Sequence, residues 1–342
     1  MFLGIEIGGT KLQLAVGDGT SAKLTEVVRH DVDASRGALG ILEQIEKTTL
    51  ILKQKYPLER IGIGFGGPVN SKTGTVTKSH QIHGWDGIPL VNWCQQAFQL
   101  PAVLGNDCDV AALAEARYGA ARGTSRMFFI TVGTGVGGGM VLDGKLQGAG
   151  RPAIAEIGHL RPGLHEDNPE LTVESLCAGP AIAGAVVARI TGQVSRPLES
   201  LRRHLHGSKA EIRLRLADQK RTDEEYIADL LARCNQDPQE LTAKMISVAA
   251  NEGNIIAREA ILHACQVLGW AVAQVITLTA PECIVIGGGV SLMGEELFFA
   301  PLRDEVARYV FPPLLGSYRI VPAELGELVV LPGAVALAAE GN

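Results

Sequence analysis

Apolar positions along the 342-residue chain fall into short runs broken by glycine, and two of these runs repeat one plan. Gly4-Ile5-Glu6-Ile7 leads through Gly8-Gly9-Thr10 into Leu12 to Val16 and stops at Asp18-Gly19. Phe128 to Val132 leads through Gly133-Thr134-Gly135 into Met140 to Leu142 and stops at Asp143-Gly144. The step from Gly8 to Asp18 equals that from Gly133 to Asp143, ten positions in each case. Each half therefore predicts two strands joined by a glycine turn, and the pair predicts a molecule built by duplication.

Around these hairpins strands alternate with helices. Val27 to Val32 and Ile61 to Phe65 read as strands, and Gly37 to Lys55 as a helix with Leu39, Leu42, Ile45 and Leu50 near helical spacing. Val91 to Phe98 is a helix, Pro101 to Leu104 a short strand, and Val110 to Tyr118 an alanine-rich helix closed by Gly119. Later come a long apolar helix (Ile255 to Thr277), the strand Ile284 to Ile286, a helix from about Glu295 to Val310, and a last helix from Pro332 to Ala339. That order indicates an α/β fold. Between Thr191 and Gln239 lies a polar insertion with a basic run, Arg196 to Arg221; Thr222 and Glu225 form a capping box for a helix through Ile227, Leu230 and Leu231.

Length makes two domains with a cleft the default. The net charge of -6 argues against a general nucleic-acid surface. The six cysteines are scattered without a C-x-x-C pair, which points to reduced thiols rather than a disulfide framework. No basic segment followed by an apolar one precedes Glu6, and Gln274, Thr277 and Thr279 interrupt the best apolar stretch, Gly269 to Ala280. The expectation is a soluble, cytoplasmic protein without membrane or nucleic-acid partners.

Glycine turns bring backbone N–H groups close to an anion, and two of them across a cleft would grip one polyphosphate from both sides, the geometry of phosphoryl transfer. Gly133 to Gly138 also spells G-x-G-x-x-G, but a dinucleotide fold would open a helix there, whereas Met140 to Gly144 continues as a strand and hairpin turn. A single such turn is equally a plain hairpin. Asn106-Asp107 stands between a strand and a helix, where either residue caps the helix or Asp107 takes the proton of an attacking hydroxyl. Glu156 and His159 form either a surface pair, a satisfied core group or a set of directional sugar contacts, and Glu174 opens a helix where a carboxylate is common for dipole reasons.

Taken together, the stretches Glu6 to Lys11, Gly66-Gly67-Pro68-Val69, Gly84-Trp85, Asn106-Asp107, Gly133 to Gly139, Glu156 to His159, Glu174 to Gly179 and Ile286 to Val290 resemble, in order, the ROK family of sugar kinases and sugar-responsive repressors within the actin-like ATPase superfamily. The resemblance implies a duplicated, ribonuclease H-like two-domain fold: residues 1–109 with 325–342 as the smaller lobe, and 110–324, carrying the insertion 191–239, as the larger. It implies ATP with Mg2+ as phosphoryl donor and a hexose as acceptor, most simply glucose giving glucose 6-phosphate. N-acetylmannosamine, fructose, or a non-catalytic sugar sensor are the alternatives, and relatives are often homodimers.

Site residues follow from the same resemblance. Gly8, Gly9, Thr10 and Lys11 with Gly133, Thr134 and Gly135 correspond to the phosphate turns, and Gly287, Gly288 and Gly289 to the adenosine turn. Asp107 corresponds to the catalytic base, Asn106, Glu156, His159 and Glu174 to sugar ligands, and Gly66 to Pro68 to a backbone wall along the sugar. The chain departs from the pattern in three places. Glu6 replaces an aspartate that helps hold hydrated Mg2+; Pro162 to Thr172 lacks the cysteines of a zinc loop, so structural zinc is not expected and His159 needs another partner; and the insertion is longer than usual.

Overall fold

The repeated hydrophobic plan becomes two sheets of the same topology. In the computed structural model, which describes all residues except 80, 149–150, 152, 164–167, 194–221 and 342, strands β1 (Phe2–Ile7), β2 (Lys11–Gly17), β3 (Leu24–Asp31), β4 (Arg60–Phe65) and β7 (Ala102–Asn106) form a sheet in the order β3-β2-β1-β4-β7. Between β4 and β7 a small ribbon, β5 (Val69–Asn70) with β6 (Thr75–Val76), stands apart. The second sheet has the order β10-β9-β8-β11-β12, from β8 (Arg126–Val132), β9 (Val136–Leu142), β10 (Lys145–Leu146), β11 (Cys283–Gly287) and β12 (Arg319–Pro322). In both, the first strand pairs antiparallel with its hairpin mate and parallel with a later strand. β9 follows the second glycine turn directly, so this is the hairpin expected and not a dinucleotide-binding helix.

β1 is buried from Leu3 to Ile7, which is why it reads as an almost continuous apolar run. Helix α1 (Gly37–Lys55) covers the first sheet with Ala38, Ile41, Leu42, Ile45 and Leu52. Its phase differs from the expected one: Leu39 and Leu50 point outward, because Thr48 and Thr49 take the inner positions and the apolar stripe runs through Ile41 instead. Helix α2 (Leu90–Phe98) closes the same core through Leu90, Cys94 and Phe98.

Helices α3 (Asp107–Tyr118) and the C-terminal α10 (Val330–Glu340) lie together between the two sheets, joined by a third core that includes Val110, Phe129, Val285 and Ala334. The chain thus returns at its end to the sheet with which it began. Close approach here demands glycine: a Cβ on Gly62 would stand 1.9 Å from the carbonyl oxygen of Ala334.

The larger core surrounds α8 (Ile255–Thr279), against which α4 (Val173–Cys177), α5 (Gly179–Ile190), α6 (Asp223–Arg233), α7 (Ala243–Asn251) and α9 (Ala300–Tyr309) pack. α8 is long and apolar enough to cross a membrane by length and composition, yet most of its apolar stretch is buried against these neighbours, as befits a core helix. Buried Asn254 caps it, accepting from the Ala257 N–H at 3.1 Å and donating to Tyr226 O and Asp229 Oδ2. The capping box of Thr222 and Glu225 forms as expected at the start of α6. The helix read from Glu295 begins as a π turn, Glu295–Phe299, before α9. All six cysteines are free thiols. The basic run Arg196 to Arg221 lies outside the described residues, as do His165, Glu166 and Asp167.

Candidate active site

The two glycine turns stand at the ends of β1 and β8. In the first, the Gly8 N–H donates to Lys11 O at 3.0 Å; in the second, the Gly133 N–H donates to Gly135 O at 2.8 Å. The second turn is further tied down, since Gly133 O accepts from the Gly179 N–H at 2.8 Å, the first residue of α5, and Glu174 Oε2 accepts from the Val136 N–H at 2.8 Å. Glu174 therefore braces the turn. Gly288 occupies left-handed backbone (φ +87°), and a Cβ there would meet Val132 O at 2.5 Å, so the third glycine turn seats directly on the end of β8.

A cavity of about 540 Å3 runs between the sheets. Glu6, Lys11, Gln13 and Arg29 line it from the first sheet, Thr131 and Gly287 to Gly289 from the second, and Asp107 from the start of α3. Gly8 to Thr10 and Gly133 to Gly135 are not among its lining residues and sit beside it at the strand ends. Glu6 is nearly buried, with Oε1 3.2 Å from the Lys11 ammonium and Oε2 accepting from Gln13 Nε2 at 2.7 Å. Strand pairing explains the trio: Glu6 lies opposite Gln13 across the hairpin, and Lys11 is two residues from Gln13 on the same face.

Asn106 sets α3 in place. Its Oδ1 accepts from the Cys108 N–H at 2.8 Å and the Asp109 N–H at 3.4 Å, and its Nδ2 donates to Gly67 O at 3.0 Å. The helix so begins at Asp107, earlier than the expected Val110, and the preceding strand runs to Asn106 rather than Leu104. Asp107 Oδ1 accepts from the Cys108 N–H at 2.8 Å, while Oδ2 faces Gly66, where a Cβ would lie 3.5 Å away. Protein surrounds this carboxyl although part of it opens on the cleft. Burial pushes its pKa up to about 6, and the Glu6 charge adds to the rise, against the pull of the Cys108 N–H.

A second cavity, of about 350 Å3, lies on the other side of the start of α3 and is lined by Asn106, Asp109 and Glu156 together with Lys72, Lys145 and Arg151. Glu156 precedes a short 3-10 turn, Ile157–His159. Partial burial raises its pKa; the His159 charge opposes that rise and the Glu174 charge adds to it. Gly66, Gly67, Pro68, His159 and Glu174 line neither cavity. They are joined to the site through the Asp107–Gly66 and Asn106–Gly67 approaches and through these charges. Among the described residues nothing hydrogen-bonds the His159 ring, and no group of three His, Cys, Asp or Glu side chains could hold a metal.

The family model described as the ROK family matches residues 2–341. This chain belongs to the ROK family. It is 28% identical over 342 residues to a glucokinase of Thermotoga maritima, covering 99% of this chain and 97% of that one. It is 30% identical over 348 residues to a putative fructokinase of Bacillus subtilis, covering 93% and 91%. A solved ROK glucokinase from Streptomyces griseus, in complex with glucose and AMPPNP, matches with a TM-score of 0.76 and 26% identity, covering 99% of each chain. The actin-like fold expected of such a ROK protein is the one observed, with its two five-stranded sheets.

Sequence reasoning missed Gln13, Arg29 and Asp109. A signal existed for Gln13: Lys11 and Gln13 are the polar, alternate positions of an otherwise apolar strand, KLQLAVG. Arg29 lies opposite Gln13 on β3, a relation visible only once the strands are paired. Asp109 is, by position alone, an acid in the first turn of α3, where carboxylates are common.

Proposed function

We propose that this ROK protein is an ATP-dependent sugar kinase that phosphorylates a hexose hydroxyl, most simply glucose to glucose 6-phosphate. The observation that carries the proposal is the junction at Asn106-Asp107. One helical start sends Asp107 toward the cavity lined by Glu6, Lys11 and Gly287 to Gly289 and sends Asn106 and Asp109 to a neighbouring polar cavity, an arrangement that suits one carboxyl working between a nucleotide and a sugar. Likeness to a glucokinase crystallised with glucose and a nucleotide analogue supports the same reading.

In this mechanism the turns at Gly8 to Lys11 and Gly133 to Gly135 hold the phosphates by backbone N–H groups, and Gly287 to Gly289 receive the adenosine. Gly66 to Pro68 form the wall along the hexose, and Asn106, Glu156, His159 and Glu174 orient its hydroxyls. As the hydroxyl oxygen bonds to the γ-phosphorus, Asp107 takes its proton and the bond to the bridging β–γ oxygen breaks, releasing ADP. The residues present fit a hydrated Mg2+: it is commonly held by one or two carboxylates with waters and substrate phosphates, and Glu6 and Asp107 face the same cavity. The ion would supply charge neutralisation on the phosphates. Glu6 would be the carboxylate that helps to hold it.

A coupled assay of ADP release over glucose, N-acetylmannosamine, fructose and mannose tests the proposal. One hexose should dominate in kcat/KM, and absence of turnover with every sugar would leave a sensor without catalysis. In the active case, Asp107→Asn should retain hexose affinity and lose about 10^2- to 10^4-fold in kcat.

A further inference from the structure

The second cavity holds a carboxyl group with no assigned task. Asp109 sits in the first turn of α3, half-buried, lining the cavity beside Asn106 and Glu156. Its Oδ1 is sealed within the protein and meets no hydrogen-bond donor, whereas Oδ2 is not among the buried unpartnered atoms and keeps an open face. An acceptor buried without a donor is costly, and native proteins rarely retain one without a use.

Neighbouring bonds sharpen the point. Asn106, the expected sugar ligand, has its oxygen taken by two backbone N–H groups of α3 and one amide hydrogen taken by Gly67 O, so a single N–H remains for a ligand. A hexose presents several hydroxyls, each both donor and acceptor, and one amide hydrogen cannot read them.

We propose that Asp109 is a specificity-determining residue of the sugar subsite, presenting Oδ2 to a hexose hydroxyl next to Glu156 and so supplying the contact that Asn106 lacks. The inference rests on the sugar-kinase reading above. The charged groups lining the same cavity are Glu156 from the turn before His159, Lys145 and Arg151 from the β10 segment, Lys72 from the β5–β6 ribbon and Glu340 from α10, with Asp107 on the same helix. Glu340 is paired with Arg117. Burial, with the nearby charges of Glu156 and Asp107, pushes the Asp109 pKa up to about 7, and what Asp109 offers the sugar is set by its place on the cavity wall.

The test compares wild type, Asp109→Ala and Asp109→Asn on the preferred hexose and on its 2-, 3- and 4-deoxy analogues, with KM for ATP measured alongside. Asp109→Ala should raise KM for the parent hexose about tenfold, the scale of one hydrogen bond, and leave KM for ATP unchanged. One deoxy analogue, lacking the hydroxyl that is read, should have the same KM with wild type and with Asp109→Ala. Asp109→Asn, which keeps the shape and a donor, should fall between them and serves as the readout if the alanine variant does not fold. Equal losses on every sugar, or no loss on any, would overturn the proposal. A wild-type protein that phosphorylates no hexose would instead defeat the kinase reading itself.

Discussion

Asp107 and Glu6 line one cavity but are held differently, Asp107 by the Cys108 N–H and Glu6 by Lys11 and Gln13. A buried acid whose pKa rises binds its proton more tightly folded than unfolded. Its contribution to stability is therefore full below the unfolded value of 3.8 and is lost as pH climbs through about 6. At roughly 1.4 kcal/mol per pK unit the loss is on the order of 2 to 3 kcal/mol. Asp107→Asn should accordingly melt above wild type at about pH 8, with the gap narrowing at about pH 5, as scanning calorimetry at the two values will check. For a base the sign of activity is opposite: kcat/KM should rise as pH passes about 6 and level off above it. A rate independent of pH across that range would remove Asp107 from the proton transfer. Glu6 is held by two partners, Lys11 and Gln13. Glu6→Asp draws the carboxylate back by one methylene and cannot keep both, so titration of activity with Mg2+ and Mn2+ should give a different half-saturation in the variant; identical metal curves would count against any role for Glu6.

At the scale of elements, the approach of α10 to the first sheet is what brings the chain's end to the site. Gly62→Ala places a methyl group 1.9 Å from a backbone oxygen of α10, where no side chain can give way. The expected cost is about 3 kcal/mol or more, seen as a lower urea midpoint, with loss of activity following the loss of fold. This contact is also a measure of what the chain made legible. Hairpins whose strands are buried on both faces announced themselves as apolar runs flanked by glycine, and the duplicated topology followed from their spacing. α1 was located correctly from 37 to 55 but with Leu39 facing inward, because two threonines that the stripe ignored are buried by their packing. The start of α3 was read late, since Asp107 to Asp109 look like turn residues until Asn106 is seen capping them. Gln13 and Asp109 escaped notice for a shared reason: a polar side chain acquires a role only through a neighbour distant in sequence, Glu6 across a strand pair or Glu156 across a cavity.

Across the whole molecule, α3 is the element common to both halves. It packs on β8 and β9 of the second sheet and on β4 and β7 of the first, and its first turn carries Asp107 to one cavity and Asp109 to the other. A hexose that draws the lobes together around this turn must also change the space offered to the nucleotide, because Glu6 and Gly287 to Gly289 face that space from opposite sheets. Linkage then requires reciprocity: whatever factor the hexose contributes to nucleotide affinity, the nucleotide contributes to hexose affinity. We expect that factor to lie within about 5- to 150-fold, measured by titration calorimetry of a non-hydrolysable ATP analogue with and without sugar, and of sugar with and without the analogue. Closure should also lower the radius of gyration in solution scattering when both ligands are present. Independent binding, with a factor of one in each direction and no change in size, would mean that α3 merely borders two rigid cavities, and the water-excluding closure expected of a kinase would have to arise elsewhere in the chain.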